Sequence, residues 1–521
     1  MSTAIINAEQ EKYTVEFTPP KKLTELLPGG KLLLELPCGG RGKCHKCKIT
    51  ARGELSPEGD GEMKLLSVAE RESGIRFACL TYALGDVTLE LAGRKNDLLI
   101  VMEHQLSVSG FEPLGKKFGA AVDVGTTTVA AYLFELSGGK LLAEAAAVNP
   151  QARFGADVIS RLDFSLKGGR LELAETVRGC IEELIFRLCG ESGTSASEID
   201  AMVIVGNTAM LYLLCAADPS SICAVPFIQD RAFGERVTPA ELSLPIAPDA
   251  CVYLARTMSA YVGADMTAAV LSSKITEKKE VSLLVDIGTN GEMALFAGGR
   301  LLCCSTAAGP AFEGAGIHGG MTAGEGAVSR VKLEGGAFLV SVIGDVPAKG
   351  ICGSGIIEAL AAMLDAEILD ETGVIEEDGH EFTAYIREFG GQPAFVLPGT
   401  EVLITQADVR AVQLAKSAIC AGITSLLCEA GMTPEDVDAL YIAGGFGSRI
   451  DCAAAERIGL IPRGFAKKAR AIGNAAGAGA SEMLLSKSAL ERSEDITKSA
   501  HTLELSTSKT FMDAYIDGMF F

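Results

Sequence analysis

Four cysteines near the N-terminus constrain the fold of this chain more than any other feature. Cys38, Cys44 and Cys47 are separated by five and then two residues, and 31 residues lie between Cys47 and Cys79. Three glycines occupy the same ten-residue stretch, where they allow sharp turns and bring backbone N–H groups close to a bound group. Because thiolates bind metals strongly, the pattern predicts a tight loop around a metal centre with these four cysteines as ligands.

The spacing resembles the C-x4-C-x2-C…C framework of plant-type [2Fe–2S] ferredoxins, with one extra residue in the first gap as in the adrenodoxin-like branch. A structural zinc site is the main rival, although zinc sites usually repeat the short C-x2-C pair and Cys79 stands alone. His45 is a further candidate ligand, but a solvent-facing loop histidine is the favoured interpretation. The resemblance implies a β-grasp, ferredoxin-like domain over residues 1–93, followed by a linker over residues 94–117.

Length and charge limit what the rest of the chain can be. With 521 residues the chain is too long for one core, and its 48% hydrophobic content and 59 glycines predict an α/β protein of several folding units. A net charge of −21 argues against nucleic acid or an anionic membrane as a partner. We expect no membrane-spanning run and no signal peptide, hence a cytoplasmic protein whose other eleven cysteines are reduced and mostly buried.

Residues 118–280 and 281–486 are predicted to be two halves that repeat each other. Each opens with a strand, a tight turn and a second strand, and the turns carry Asp123-Val-Gly125-Thr-Thr and, 163 positions later, Asp286-Ile-Gly288-Thr-Asn. Each half also contains a buried strand that runs into a turn, which is Gly206-Asn-Thr in the first and Gly444-Gly-Phe in the second.

Duplicated halves that open on such hairpins resemble the ASKHA superfamily, which includes acetate kinases, sugar kinases and actin, and which binds ATP in the cleft between two like subdomains. An aspartate at a strand end can hold Mg²⁺ through water, while turn N–H groups and hydroxyls donate to phosphate oxygens. The catalytic candidates are Asp123 and Asp286. The predicted nucleotide contacts are Gly125, Thr126, Thr127, Gly288, Thr289, Asn290, Gly353, Ser354, Gly444, Gly445 and Phe446.

Two of these stretches have alternative interpretations. Gly353 and Ser354 precede an apolar segment and could face a phosphate or simply cap a helix. The stretch Gly314–Gly319 matches G-x-G-x-x-G, but no strand precedes it, so a Rossmann site is not expected there and His318 is interpreted as structural. No residue stands out as the base that activates the hydrolytic water.

A ferredoxin-like domain joined to an ASKHA-like ATPase resembles the reductive activators of corrinoid-dependent enzymes. The motifs that carry this resemblance are Ser305-Thr-Ala-Ala-Gly-Pro-Ala-Phe-Glu-Gly314, Gly350-Ile-Cys-Gly-Ser-Gly-Ile356 and Gln413-Leu-Ala-Lys-Ser-Ala-Ile419. The resemblance implies ATP-dependent, one-electron reduction of Co(II) to Co(I) in the corrinoid protein of a methyltransferase system. It also implies a [2Fe–2S] cluster, ATP and Mg²⁺ as cofactors and an upstream low-potential electron donor.

Two other functions and two structural questions stay open at this point. The chain could activate another radical enzyme, as 2-hydroxyacyl-CoA dehydratase activators do, or act as an ATP-dependent chaperone that ejects damaged cofactor without redox chemistry. The sequence is compatible with a homodimer but does not decide it. It also leaves open whether the tail, residues 487–521, docks on the body of the protein.

Overall fold

The structure, a computed structural model, describes residues 1–8, 11–27, 42, 47–66, 68–91, 108, 110–445 and 450–521. Contacts between Cα atoms divide the chain into two compact units. One unit comprises Met1–Asp97 and Asn149–Cys180, and the other comprises Leu98–Val148 and Ile181–Phe521. The predicted ligands Cys38 and Cys44, His45 and the predicted nucleotide contact Phe446 lie outside the described residues.

The N-terminal part of the first unit is built on a mixed sheet with the strand order β2-β1-β6-β4-β5, in which β3 also pairs with β6. Its strands are β1 Ser2–Ala8, β2 Glu11–Phe17, β3 Lys21–Lys22, β4 Lys48–Leu55, β5 Ile75–Phe77 and β6 Tyr82–Leu91, and its helices are α1 Leu23–Leu26, α2 Asp60–Leu65 and α3 Val68–Glu72. Alternate residues of β6 are buried, as its sequence pattern predicts. Cys47 and Cys79 belong to the resulting core together with Ile6, Phe77 and Leu89.

The chain then forms a six-stranded sheet with the order β11-β12-β10-β7-β8-β9. The strands are β7 Phe118–Val124, β8 Thr128–Glu135, β9 Lys140–Val148, β10 Ile199–Gly206, β11 Glu235–Val237 and β12 Cys251–Leu254, and the helices along this stretch are α4 Val158–Phe164, α5 Arg170–Ser192, α6 Thr208–Leu214, α7 Ser220–Cys223 and α8 Ala264–Ser273. Strands β7 and β10 are buried along most of their length, as expected for strands in the centre of a sheet.

A second six-stranded sheet has the order β23-β22-β13-β14-β15-β24, and two three-stranded sheets accompany it. The strands are β13 Ser282–Ile287, β14 Gly291–Ala297, β15 Arg300–Thr306, β16 Ala327–Glu334, β17 Ala337–Val342, β18 Gly350–Ile351, β19 Ile386–Phe389, β20 Gln392–Val396, β21 Leu403–Thr405, β22 Ala439–Ala443, β23 Ala469–Gly473 and β24 Ala500–Thr502. The helices are α9 Gly353–Asp365, α10 Gln406–Ala430, α11 Cys452–Arg457, α12 Ala475–Leu485, α13 Lys487–Ser499 and α14 Lys509–Asp517.

The two large sheets repeat one pattern of pairing. Strand β7 pairs antiparallel with β8 and parallel with β10, and β13 pairs antiparallel with β14 and parallel with β22. The third strand of each half, β9 or β15, extends the antiparallel side in the same way. The α/β fold class predicted from the sequence is therefore confirmed, and Asp123 and Asp286 occupy the same next-to-last position of equivalent strands.

Helix α10 differs from the expectation that no stretch of the chain is long and apolar enough to span a membrane. By length and composition it qualifies as a membrane span, but 72% of its most apolar window is buried inside the protein. It contacts β14, β15 and α14, so its apolar residues serve the core of the second half. The continuous apolar surface reflects packing on several sides.

The C-terminal tail docks on α10. Lys416, fully buried in α10, donates to the carbonyl oxygen of Gly518 at 2.7 Å and to that of Phe520, while its ammonium group lies 4.6 Å from the ring centroid of Phe521. Gln413 donates to the carbonyl oxygen of Met519 at 2.8 Å. Two side chains from one of the quoted motifs thus hold the segment that follows α14.

Candidate functional site

One cleft in the second unit, with a cavity volume of about 280 Å³, collects the side chains predicted to act on a nucleotide. Its lining includes Asp123, Gly125, Thr126, Thr127, Asp286, Gly288, Thr289, Asn290, Gly353, Ser354, Gly444 and Gly445. These residues come from four separate stretches of the chain, and the folding of both halves is needed to bring them together.

The first hairpin is shaped by a glycine at the turn between β7 and β8. The backbone N–H of Gly125 donates to the carbonyl oxygen of Thr128 at 2.9 Å, and a Cβ atom on Gly125 would lie only 2.6 Å from that oxygen. A side chain at this position would open the turn. The close turn directs Asp123 and the three threonines that follow Gly125 toward the cleft.

The second hairpin has a turn that is one residue shorter, and it faces a second glycine loop. The N–H of Gly288 donates to the carbonyl oxygen of Asn290 at 3.2 Å. Gly444, at the end of β22, has a φ of +91°, and a Cβ atom there would approach the Oδ1 atom of Asp286 to 2.5 Å. The glycine therefore leaves room for the Asp286 carboxylate and supplies a backbone conformation that other residues rarely adopt.

Helix α9 directs its N-terminus at the same cleft. It begins at Gly353, as the sequence predicted, and Cys352, Gly353 and Ser354 all line the cleft. The Ser354 hydroxyl donates to the carbonyl oxygen of Ser329 at 3.1 Å. The first N–H groups of a 13-residue helix favour an anion nearby, so this end suits a phosphate group.

Sequence reasoning missed several polar side chains that also line the cleft, namely Asn207, Asp265, Glu292, Glu313 and Asn474. Glu292 had a usable signal, because it is an acidic residue in an apolar strand and its register places it directly opposite Asp286. Asp265 had none, and Glu313 had only its place in the quoted stretch Ser305–Gly314, since long-range packing brings both residues to the hairpins.

Burial raises the pKa of four carboxyl groups in the cleft, and for three of them neighbouring carboxyl groups raise it further. Burial, then the charges of Asp265 and Asp286, raises the pKa of Asp123 to about 8. Burial, then Asp265 and Glu313, raises the pKa of Asp286 to about 7, and burial raises that of Asp265 to about 6. The pKa of Glu292 is also raised, by burial and then by Asp265 and Asp286. A divalent cation or a set of hydrogen-bond donors would relieve this repulsion.

The two hairpins meet at one acidic side chain. The Thr127 hydroxyl donates to the Oε2 atom of Glu313 at 2.5 Å, and the Thr289 hydroxyl donates to the same atom at 3.0 Å. The two hydroxyl oxygens are 3.2 Å apart. A pair of hydroxyl donors that converge on one anionic oxygen is an arrangement suited to a phosphate as well as to a carboxylate.

In the first unit, the two predicted cluster ligands that the structure describes lie side by side. Cys47 and Cys79 are both buried, and their Sγ atoms are 3.1 Å apart. This distance is too long for an S–S bond of about 2.05 Å. Within the described part of the chain, no group of three or more His, Cys, Asp or Glu side chains is placed to hold a metal ion directly.

The fold and the cleft define a two-lobed protein of the ASKHA type, and comparison with known proteins agrees. A family model described as the RACo middle region matches residues 118–278, and one described as the C-terminal domain of RACo, the ASKHA domain, matches residues 280–521. A solved structure of a reductive activator for corrinoid, iron-sulfur protein is 29% identical, with a TM-score of 0.71, and the match covers 100% of this chain and 98% of that one.

Two curated relatives extend the likeness over most of the chain. Corrinoid activation enzyme RamQ of Eubacterium limosum is 34% identical over 556 aligned positions, which cover 93% of each protein. The [Co(II) methylated amine-specific corrinoid protein] reductase of Methanosarcina barkeri is 30% identical, and the match covers 77% of this chain and 76% of the reductase. The chain belongs to the RACo family of reductive activators of corrinoid proteins.

Proposed function

We propose that this protein reactivates a corrinoid protein by passing one electron to its Co(II) form, which yields Co(I), and that ATP drives the transfer. The observation that carries the proposal is the cleft between two matched hairpins, in a chain whose relatives are named as a corrinoid activation enzyme and a Co(II) corrinoid protein reductase. The corrinoid protein is the substrate, and the cluster and the nucleotide site act on it from one polypeptide.

The N-terminal sheet suits a ferredoxin-like electron carrier. Cys47 and Cys79, distant in sequence, come within 3.1 Å of each other inside the core, so two thiolates already converge on one point. Together with Cys38 and Cys44 they make the donor set of a [2Fe–2S] cluster, which when bound supplies a one-electron store. Residues 1–93 are proposed as this domain, with 94–117 as its linker, 118–280 and 281–486 as the ATPase halves and 487–521 as the tail.

A buried ion pair holds the segment that carries Cys79. The Glu62 carboxylate accepts from the Arg76 guanidinium at 2.8 and 3.0 Å, from the Phe77 N–H at 3.0 Å and from the Thr81 hydroxyl at 3.1 Å. Although burial opposes ionisation, the hydrogen bonds from Arg76 and Phe77 hold the pKa of Glu62 below its usual range. The carboxylate is therefore charged at neutral pH and fixes the chain on both sides of Cys79.

In the cleft, the hairpins are proposed to bind the phosphates of ATP with Mg²⁺. Asp123 and Asp286 would hold the cation through water, which fits the absence of a direct three-ligand site among the described residues. The Thr126, Thr127 and Thr289 hydroxyls and the Asn290 amide would donate to phosphate oxygens, and Gly353, Ser354, Gly444, Gly445 and Phe446 would complete the nucleotide site. The positive charge of Mg²⁺ would also offset the repulsion between the closely spaced carboxyl groups.

ATP has a thermodynamic role in this scheme. A plant-type cluster has a reduction potential near −400 mV, and every 59 mV of unfavourable potential costs a one-electron transfer about 1.4 kcal/mol. Closure of the two halves on ATP could favour a complex in which the cobalt changes its ligands and thus its potential. We further propose a cytoplasmic protein with a separate low-potential electron donor, either a monomer or a homodimer.

The test starts from anaerobically purified protein. We expect visible absorption and about two irons per chain, and reduction of a Co(II) corrinoid protein by a low-potential donor only when ATP is added. Cys79→Ser should abolish the absorption and the reduction, whereas Cys428→Ser, which changes an exposed cysteine, should leave both unchanged. Activation by iron-free protein, or release of the corrinoid without cobalt reduction, would refute the proposal and support a chaperone instead.

A further inference from the structure

Glu313 is the cleft residue that links the two hairpins. Its Oε2 atom accepts hydrogen bonds from Thr127 of the first half and Thr289 of the second. Among the cleft carboxylates that the structure describes, Glu313 is the one whose recorded hydrogen bonds come from threonines of both hairpins. Its position is therefore set by the same groups that are proposed to meet the terminal phosphate.

The backbone around Glu313 fixes that position. Residues Pro310–Glu313 form a 3-10 turn, and the N–H of Gly309 donates to the carbonyl oxygen of Thr289 at 2.9 Å, which ties the turn to the second hairpin. Gly314 follows at φ +81°, where a Cβ atom would lie 2.7 Å from the backbone of Met321. The chain must turn sharply there, so the Glu313 side chain is directed back to the hairpins.

The other acidic groups of the cleft have different surroundings. Glu292 accepts from the Asn207 amide at 3.2 Å and from the Gly263 N–H at 3.3 Å, and Asp265 accepts from the Met266 N–H at 2.8 Å. Asp123 and Asp286 lie at the ends of their strands, where they are proposed to hold the cation. Glu313 alone of these five is held by the hydroxyls that a phosphate would engage, so nucleotide binding would free its carboxylate within the cleft.

We propose that Glu313 is the general base of ATP hydrolysis, an inference that rests on the proposed function. As ATP binds, the Thr127 and Thr289 hydroxyls turn to the oxygens of the γ-phosphate, and the released carboxylate hydrogen-bonds to a water. The water oxygen forms a bond to the γ-phosphorus, the bond from that phosphorus to the β,γ-bridging oxygen breaks, and the proton of the water passes to Glu313. The products are ADP and inorganic phosphate.

The deciding measurement separates binding from turnover in Glu313→Gln. ATP affinity is measured by calorimetry and phosphate release by a steady-state assay, both on the full chain. A lost base should lower kcat by about 10²- to 10⁴-fold and leave Kd for ATP within about threefold. Glu325→Gln is the matched control, because Glu325 is exposed and pairs at the surface with Lys349 at 3.8 Å, and it should behave as the unaltered protein.

A second variant keeps the test independent of subtle misfolding. In Glu313→Ala, added formate should restore part of the lost kcat, because it can take the proton in place of the missing carboxylate. Unchanged kcat in Glu313→Gln, tighter ATP binding with full turnover, or no rescue by formate would each overturn the assignment. If the unaltered protein binds no ATP or hydrolyses none, the proposed function fails instead, so the two failures are distinguishable.

Discussion

The two hairpins of the cleft are both antiparallel, but the turn of the second is one residue shorter and different side chains lie opposite the two aspartates. In the first half Asp123 lies opposite Ala130, whereas in the second half Asp286 lies opposite Glu292. The Thr289 carbonyl of the second hairpin also accepts a hydrogen bond from the segment that carries Glu313, while in the first hairpin Asp123 is hydrogen-bonded to Asn474. A repeated scaffold thus presents one mainly neutral and one strongly acidic hairpin.

This difference indicates a division of work between the halves. Neutral hydroxyl donors suit phosphate oxygens, while a crowded set of carboxyl groups suits cation binding and proton transfer. The second hairpin therefore carries more of the chemistry, while the first hairpin contributes mainly to binding. Substitutions at equivalent positions of the two hairpins can test this comparison directly.

The largest contrast is expected between Asp286→Asn and Asp123→Asn. Asp286 faces Asp265 and Glu313, so losing its charge should disturb both the cation and the proposed base, and we expect a loss in kcat of about 10³-fold. Asp123→Asn should cost about 10²-fold. Steady-state ATP hydrolysis measures both, with the exposed Asp378→Asn as control. Equal losses in the two variants would refute the division of work.

Much of this cleft was predictable because its signals are local. An aspartate at the end of an apolar strand, followed by Gly and Thr, predicts a strand, a turn and a strand wherever it occurs, and the spacing of Asp123 and Asp286 predicts a repeat. The start of α9 at Gly353 was predictable for the same reason. The family resemblance added the nucleotide, which the hairpins alone would not identify.

The remainder depended on contacts between residues distant in sequence. Glu313 lies 186 positions from Thr127, and no local pattern states that the two side chains meet. Docking of the tail was undecided from the sequence for the same reason, because Lys416 contacts residues about a hundred positions away. Glu292 is the exception, since an acidic residue in a buried strand opposite Asp286 could have been found from the predicted register.

The last part of the tail, from α14 to Phe521, docks on α10 of the second half, and Lys416→Met tests how much this contact adds to stability there. The change removes the charged donor of the carbonyl oxygens of Gly518 and Phe520, and a hydrogen bond from a charged group contributes about 1.5–3 kcal/mol. We expect about 10- to 100-fold faster amide hydrogen exchange in α14, and no change in exchange near the first hairpin. Exposed Lys332→Met is the control. Unaltered exchange in α14 would show that apolar packing alone holds the tail.

A smaller effect is expected for the hairpin threonines. Thr127→Val and Thr289→Val keep the shape of the side chain and remove one hydroxyl donor, which should weaken ATP binding by about tenfold each, or about 1.4 kcal/mol. Calorimetry measures the affinity, and Thr424→Val, within α10, is the control because its hydroxyl donates to the Cys420 carbonyl of the same helix and Thr424 does not line the cleft.

The smallest effect concerns pH and Mg²⁺. With pKa values of about 8 for Asp123, 7 for Asp286 and 6 for Asp265, the folded, metal-free protein binds more protons than the unfolded chain above pH ~4. Stability contributed by these groups should therefore fall as the pH rises from about 4 to about 8. Mg²⁺ binds the ionised forms, so it should raise Tm by a few degrees more at pH 8 than at pH 5.

Differential scanning calorimetry with and without Mg²⁺ measures the rise in Tm at each pH. Because each comparison is made at one pH, the effect of the chain's net charge of −21 on stability cancels. Asp286→Asn should lose more of the Mg²⁺-dependent rise in Tm than Asp123→Asn, because Asp286 lies opposite Glu292 and its charge also faces Asp265 and Glu313. If the rise in Tm caused by Mg²⁺ does not depend on pH, Mg²⁺ binds outside this group of carboxyl groups. An equal loss in the two variants would instead mean that the cation is shared evenly between the hairpins, and the comparison between the halves would then rest on Glu313 alone.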